Sequence, residues 1–270
     1  MSIGIQVSVS NALHTHWKTR GLLLFLFSFL FLFSSFGARA QQNGSSPVSS
    51  LTLDQIVTRL EQNNAKRAAA LEQFESKRIY RMEYHGFFRD GSAEMVVRAR
   101  FTAPNSKQFT IVSQTGSSFV IDHVFKRLLE SEQQATENLG GIAVTRQNYN
   151  FEIAGFENTP QGPCYVLTLS PKTRNKYLYR GKIWVDAKDF AVIRIAGEPG
   201  RSPSMWVTKT DFEHTYQKVA DFWLPSENHT VSLVRLGGRS TLSIEYQDYK
   251  ILKAYPLHGI ENAQIMPIPN

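Results

Sequence analysis

The side chains that could do chemistry in this chain are few and poorly spaced for it. Beyond the first forty residues the histidines are His85, His123, His214, His229 and His258, and no two stand at a metal-ligand interval. His123 follows Asp122, but adjacent residues on a strand point to opposite faces, and no partner meets the geometric roles a site requires. There is no G-x-S-x-G elbow, no H-E-x-x-H pair, no phosphate-cradling P-loop and no G-x-G-x-x-G turn. A single cysteine, Cys164, rules out an intrachain disulfide and a cysteine-built zinc site. It reads as a small buried apolar side chain. Each histidine reads as surface or structural, and neither a metal nor a cofactor is expected.

Two weaker patterns come out the same way. Lys172, Arg174, Lys176, Arg180 and Lys182 are interleaved with Tyr177 and Tyr179, but they read better as a loop and a strand edge blunted by lysine than as a nucleic-acid surface. Asn43-Gly44-Ser45 and Asn228-His229-Thr230 match a glycosylation acceptor, a pattern common by chance. What remains is an apolar inventory, and the elements that carry it set the expectations below.

The N-terminus looks like an export signal. Lys18 and Arg20 precede an apolar run over 22–36, which ends in Ala38-Arg39-Ala40. That is a charged region, an apolar region and a small-x-small cleavage site in order. Residues 1–40 are read as a signal peptide cleaved after Ala40. The alternative is an inner-membrane anchor through 22–36, a run just short of the ~20 residues a spanning helix needs. Losing Lys18, Arg20 and Arg39 lowers the net charge from +7 to +4, too little to argue for nucleic acid. A polar linker over 41–50 follows, then one domain over 51–255 and an irregular tail over 256–270.

Within the domain, Thr52 and Gln55 form a capping box flanked by Leu51 and Ile56 as a staple. Leu53, Ile56, Val57 and Leu60, then Ala68, Leu71 and Phe74, predict one long helix to about Ser76. The period then changes from 3.6 to 2. Tyr80, Met82, Tyr84 and Phe88 share a face, Arg89 to Ser92 turn the chain, and Met95, Val97, Ala99 and Phe101 share the next. A strand at 107–113 completes a meander with one apolar face. Val124, Leu128 and Leu129 predict a second, shorter helix. From Tyr149 to Leu252 strand follows strand, including a hairpin at 179–200. In its second arm Ile193 and Ile195 are placed on one face, opposite Arg194.

The expected fold is mainly β (α+β): an incomplete antiparallel β-barrel of about ten strands, with two helical segments covering its concave face. So many antiparallel strands must curl, close or be covered. The candidate cavity-lining residues come from alternate strand positions. They are Tyr80, Met82 and Tyr84; Met95, Val97 and Phe101; Phe109 and Ile111; Tyr165, Leu167 and Leu169; Ile183 and Val185; Ile244 and Tyr246. These inward faces read as nearly free of titratable groups. In a sheet that does not close fully, such residues leave an apolar ligand cavity.

Several segments carry a family likeness: "RIYRMEYHG", "VFKRLLESEQQA", "GKIWVDAKDFAVIRIAGEP", "WLPSENHTVSLVRLGG" and "STLSIEYQDYKIL". In this order, over roughly 50–253, they resemble the LolA/LolB-like superfamily of outer-membrane lipoprotein-sorting proteins. The resemblance implies a half-open barrel with helices as a lid, and a concave apolar face that holds acyl chains in transit across the periplasm. It also implies an arginine near the first strands that keeps the lid closed. Arg78 and Arg81 lie in that neighbourhood, and neither sits in a matching motif. That departure leaves another lipid open as the ligand.

The expected function is therefore that of a periplasmic, non-enzymatic carrier of lipoprotein acyl chains or another lipid. It would be monomeric, would work with a membrane receptor or transporter, and would bind no nucleic acid. The alternatives are a sensor or interaction domain on the same fold and an enzyme with an unrecognised site.

Overall fold

We describe a computed structural model of the chain, covering residues 51–86, 90–104, 106–136, 140–175, 177–202, 205, 207–235 and 237–257. The signal, the linker, Phe88, Lys176, His258 and most of the tail lie outside these residues.

Helix α1 (Leu53–Ala70) starts as its sequence requires. Thr52 Oγ1 accepts from the Gln55 amide, and Gln55 Oε1 accepts from the Thr52 amide, so two orphan donors are satisfied at once. Strand β1 (Leu71–His85) follows without a loop. The helix expected to reach Ser76 thus ends six residues sooner. Leu71 and Phe74 fit helical spacing, but Leu71 takes extended dihedrals and pairs opposite Ala254. The Tyr255 amide donates to the Ala70 carbonyl at 2.8 Å. Register shifts between Leu71 and Lys77 adapt this stretch to its neighbour, and Phe74 packs instead against Phe101 and Tyr249. Tertiary pairing overrides a weak local preference here.

The remaining strands are β2 (Asp90–Thr102), β3 (Ser106–Gly116), β4 (Tyr149–Thr159), β5 (Gly162–Pro171), β6 (Tyr179–Asp186), β7 (Val192–Pro199), β8 (Val207–Val219), β9 (Phe222–Val234) and β10 (Gly238–Ala254). Between β3 and β4 run α2 (Ser118–Val120), a π-helical turn (Ile121–Phe125) and α3 (Lys126–Thr136). The strands form one antiparallel sheet in the order β3-β2-β1-β10-β9-β8-β7-β6-β5-β4. Every neighbour is consecutive in sequence except β1 beside β10, where the last strand returns to the first. The sheet does not close: β3 and β4 are its edges. It is the expected incomplete barrel.

Two apolar clusters lie on the concave face, one under each cover. Ile56, Val57 and Leu60 of α1 pack with Leu167, Leu169, Ile183, Val185, Phe212 and Tyr216. Val120, Ile121, Val124, Phe125, Leu128 and Leu129 pack with Tyr80, Met95, Val97, Ile244 and Tyr246. Each cover therefore shields half of the sheet.

A third cluster lies apart from these. Cys164, Val166, Trp184 and Ile193 pack together, and Trp184 Nε1 donates to Glu157 at 2.7 Å. This corrects the reading of the β6–β7 hairpin. A bulge between Trp184 and Val185 sets Val185 opposite Val192 while Ile183 faces Ile195. Val192 and Ile195 then join the concave cluster, and Ile193 joins Trp184. A one-residue insertion exchanges faces because the side-chain period is two.

Candidate functional site

Between the two covers, along β8 to β10, the inner face changes character. β9 and β8 contribute buried polar side chains: Asn228, Thr230, Thr210 and His214. Thr230 Oγ1 donates to Asn228 Oδ1 at 3.0 Å. Thr210 and Ser232 exchange a hydrogen bond at 3.0 Å. The His214 ring lies tilted against that of Phe212, 4.8 Å away. Burial pushes its pKa down to about 4, although the Asn228 side chain beside it favours the proton.

At the other end of this seam lies a buried charged knot. Arg78 of β1 and Lys107 of β3 both reach Glu132 of α3, at 2.7 Å and 2.6 Å. The three side chains are only 6%, 6% and 3% exposed. The Arg78 guanidinium also stands over the rings of Tyr246 and Phe109, at 5.0 and 5.3 Å, an attractive arrangement for a desolvated cation. Burial works to raise the Glu132 pKa, but Arg78 and Lys107 outweigh it and hold the carboxyl at about 2. Burial also lowers the Lys107 pKa, and Glu132 only partly restores it against the repulsion of Arg78. Burial raises the Tyr80 hydroxyl to about 12. That hydroxyl lies beside Arg78.

The knot forms the polar pole of a cavity of about 60 Å³. Leu71, Phe74, Phe101, Phe222, Trp223, Tyr246 and Tyr249 supply its apolar wall, and Arg67 comes from the last turn of α1. Arg67 is already engaged. It donates to the carbonyls of Asp189 and Phe190 at 3.0 and 3.1 Å, and to Asn64.

Of the residues expected to line a cavity, Phe101 and Tyr246 line this one. Tyr80, Met95, Val97 and Ile244 lie buried beneath the 118–136 segment, with Met82 and Phe109 at the margin. Leu167, Leu169, Ile183 and Val185 lie under α1, with Tyr165 at the margin. Tyr84 is half-buried against Gly86 and Gly238, and Ile111 is exposed on the edge strand.

The concave face is not nearly free of titratable groups, as its sequence suggested: Arg78, Lys107, Glu132 and His214 are all buried on it. The signal was present. Arg78 stands two residues before Tyr80, and Lys107 two before Phe109, so strand alternation places both inward. Glu132 follows Leu128 by four residues and Leu129 by three, on the same helix face. Arg81, the other arginine considered, points outward between Glu94 and Glu245.

No family model matches the sequence, and no curated protein matches it. Among solved structures, an outer membrane lipoprotein-sorting protein domain from Vibrio parahaemolyticus is similar at 11% identity and a TM-score of 0.41. The match covers 74% of this chain and 93% of that one. A LolA superfamily protein from Nitrosomonas europaea is similar at 12% identity and a TM-score of 0.32, over 77% of this chain and 96% of that one. The Pseudomonas aeruginosa MucA/MucB complex matches at 10% identity and a TM-score of 0.24, over 73% and 99%. At these identities and TM-scores the likeness carries no argument, and function has to be read from the site. Among the described residues, no helix is long and apolar enough to cross a membrane.

Proposed function

We propose that the protein is an exported carrier that holds acyl chains of lipoproteins or other lipids against its concave sheet, for transfer toward the outer membrane. The observation that supports this best is the seam. Two covers, each seated by apolar contact, both border an aromatic cavity of about 60 Å³, where drug-sized ligands occupy pockets of about 300–1,000 Å³. A chain therefore enters only when a cover moves. Lifting the 118–136 segment would lay bare Tyr80, Met95, Val97, Ile244 and Tyr246 as one apolar surface continuous with the cavity. Burying each methylene of a ligand there contributes about 0.8 kcal/mol, ample for an acyl chain without covalent chemistry. Leu167, Leu169, Ile183, Val185 and Tyr165 would be reached only by longer or multiple chains that also displace α1.

In this reading Arg78 takes the part of the lid-holding arginine, with Glu132 as its partner on the lid. Export would follow from the 1–40 signal, with periplasmic release after Ala40 or tethering through 22–36. Native mass spectrometry of the protein purified from its host tests both points. The expected result is an added mass of lipid size on a chain beginning at Gln41. A bare polypeptide that also takes up no acylated peptide would sink the carrier reading.

A second reading, an interaction domain for a protein partner, is favoured by the sheet edges. β3 exposes Ile111 and Val112, and β4 exposes Ile153 and Phe156. An unpaired edge with apolar side chains can accept an added strand. A stable protein partner in pull-downs, abolished by a proline placed in β4, would favour this reading over shuttling.

A further inference from the structure

Resting on the carrier reading, we propose that the cargo has an anionic head: an acyl chain ending in a carboxylate or phosphate, whose charge takes the place of Glu132 when the lid lifts. The knot is unbalanced. Two cations, Arg78 and Lys107, share one carboxylate, so a positive charge is left over in a site almost closed to water. Such a surplus is costly unless a counter-charge meets it. Arg78 also lies beside the buried Tyr80 hydroxyl and over the Phe109 and Tyr246 rings, none of which carries a counter-charge.

The arrangement in the fold sharpens the point. Both cations are fixed to the sheet, on β1 and β3, while their single anion rides on α3. If the 118–136 segment lifts, Glu132 leaves with it and the two cations remain on the wall without an anion. Arg67, the other cation lining the cavity, cannot serve in the same way. It is spent on the Asp189 and Phe190 carbonyls and lies near the carboxylates of Asp189 and Asp186.

A ligand anion at the place of Glu132 would meet the Arg78 guanidinium and the Lys107 ammonium together. Its chain would run along Phe74, Phe101, Tyr246 and Tyr249, which line the same cavity. Ligand entry and lid release then become one exchange, carboxylate for carboxylate or phosphate. A neutral head would leave both cations bare in the open state. A cationic head would be repelled.

The test uses three twelve-carbon probes that differ only at the head: dodecanoate, dodecyl phosphate and dodecanol. Each is titrated calorimetrically into the full exported chain below its micellar concentration. A charge-assisted hydrogen bond is worth enough to expect the better anion to bind at least about tenfold tighter than dodecanol. Comparing dodecanoate with dodecyl phosphate identifies which head the site takes. Lys107→Met removes one of the two cations that meet the head, so the preference for the anion over dodecanol should narrow severalfold. That variant keeps Arg78 and Glu132 paired one to one, so the fold has no new unpaired charge to bear. Glu132→Gln should tighten anion binding and shift dodecanol less. Equal affinity of wild type for all three heads would overturn the anionic head and leave the carrier reading standing. So would a preference that Lys107→Met leaves undiminished. Failure of every probe to bind would overturn the carrier reading itself, and the head assignment with it.

Discussion

The two covers of this sheet are fastened by different means. α1 is held at many points along its length. Arg146 reaches back from the loop before β4 to Glu61 at 2.7 Å and to the Asp54 carbonyl at 2.7 Å. Asn63 and Arg67 both donate to the Asp189 carbonyl at 3.0 Å, and Arg59 stands over the Phe190 ring. The 118–136 segment sits on an equally apolar bed, but its ion pairs to the sheet run through one residue, Glu132. A cover pinned to backbone carbonyls at several places is built as a wall. A cover whose charged tie can be broken at one carboxylate is built as a gate. The π-helical turn within that segment adds a local irregularity of the kind often found at functional sites.

The largest expected effects come from removing the apolar seat of each cover. Phe125 is fully buried and packs its ring 5.9 Å from Tyr80; Phe125→Ala should cost about 3–5 kcal/mol. Leu60, fully buried under α1, should cost about 2–5 kcal/mol on truncation to alanine. The distinction lies in what gives way. For Phe125→Ala, hydrogen exchange should quicken over 118–136 while the amides of β5 to β9 keep their protection. For Leu60→Ala, the global unfolding midpoint should fall and no single segment should open alone. Matching exchange patterns in the two variants would erase the difference between wall and gate.

Next in size is the tie itself. Glu132→Ala leaves two buried cations without an anion, a loss of about 3–5 kcal/mol by analogy with broken buried pairs, and it should appear as lid opening. Arg67→Ala takes its donor from the buried Phe190 carbonyl, while Asn63 still serves Asp189, and should cost about 1–3 kcal/mol, read as fraying of the last turn of α1 alone. If Arg67→Ala opens its cover as widely as Glu132→Ala does, the gate has been assigned to the wrong helix.

Acid should separate the two regions again. The docked Glu132 carboxyl is held at about 2 against an ordinary 4.5, so the open lid binds more protons between those values. Lid docking is complete above pH 4.5 and is lost as pH falls toward 2. His214 acts earlier. Its folded pKa of about 4 lies below the ordinary 6.5, so the unfolded chain binds more protons in that window. Global stability should fall on acidification from 6.5 toward 4, by at most about 1.4 kcal/mol per pH unit. His214→Asn should flatten that part of the profile and leave the lid transition in place. A single transition seen by both global fluorescence and lid exchange would mean that one unit, not two, responds to acid.

Much of the architecture was legible in the sequence because it rests on period. Alternation in Tyr80, Met82, Met95 and Val97, and helical spacing in Ile56, Val57 and Leu60, place both apolar clusters on the correct faces. Three things were not legible in that way. The early end of α1 depends on β10 being long enough to pair with Leu71, a partner almost two hundred residues away in sequence. The reversal of Ile193 depends on a bulge, and period cannot announce where it breaks. The charged knot was hidden by attention to apolar positions alone, although the same alternation that places Tyr80 inward places Arg78 there too.

Arg78 and Arg81 make the smallest and cleanest test, because they stand three residues apart on one strand and face opposite ways. Arg81 pairs with Glu94 at 2.8 Å and with Glu245, and its side chain is 44% exposed. Exposed pairs of this kind contribute about 0–1 kcal/mol because water and salt screen them. Arg81→Ala should therefore change the unfolding midpoint little, leave exchange over 118–136 untouched, and leave ligand affinity unaltered. Arg78→Ala strips Glu132 of one partner and removes the cation stacked on Phe109 and Tyr246, so it should loosen the lid by several times as much. If instead Arg81→Ala frees the lid and Arg78→Ala does not, the latch lies on the convex side of β1 and the inward knot is packing alone.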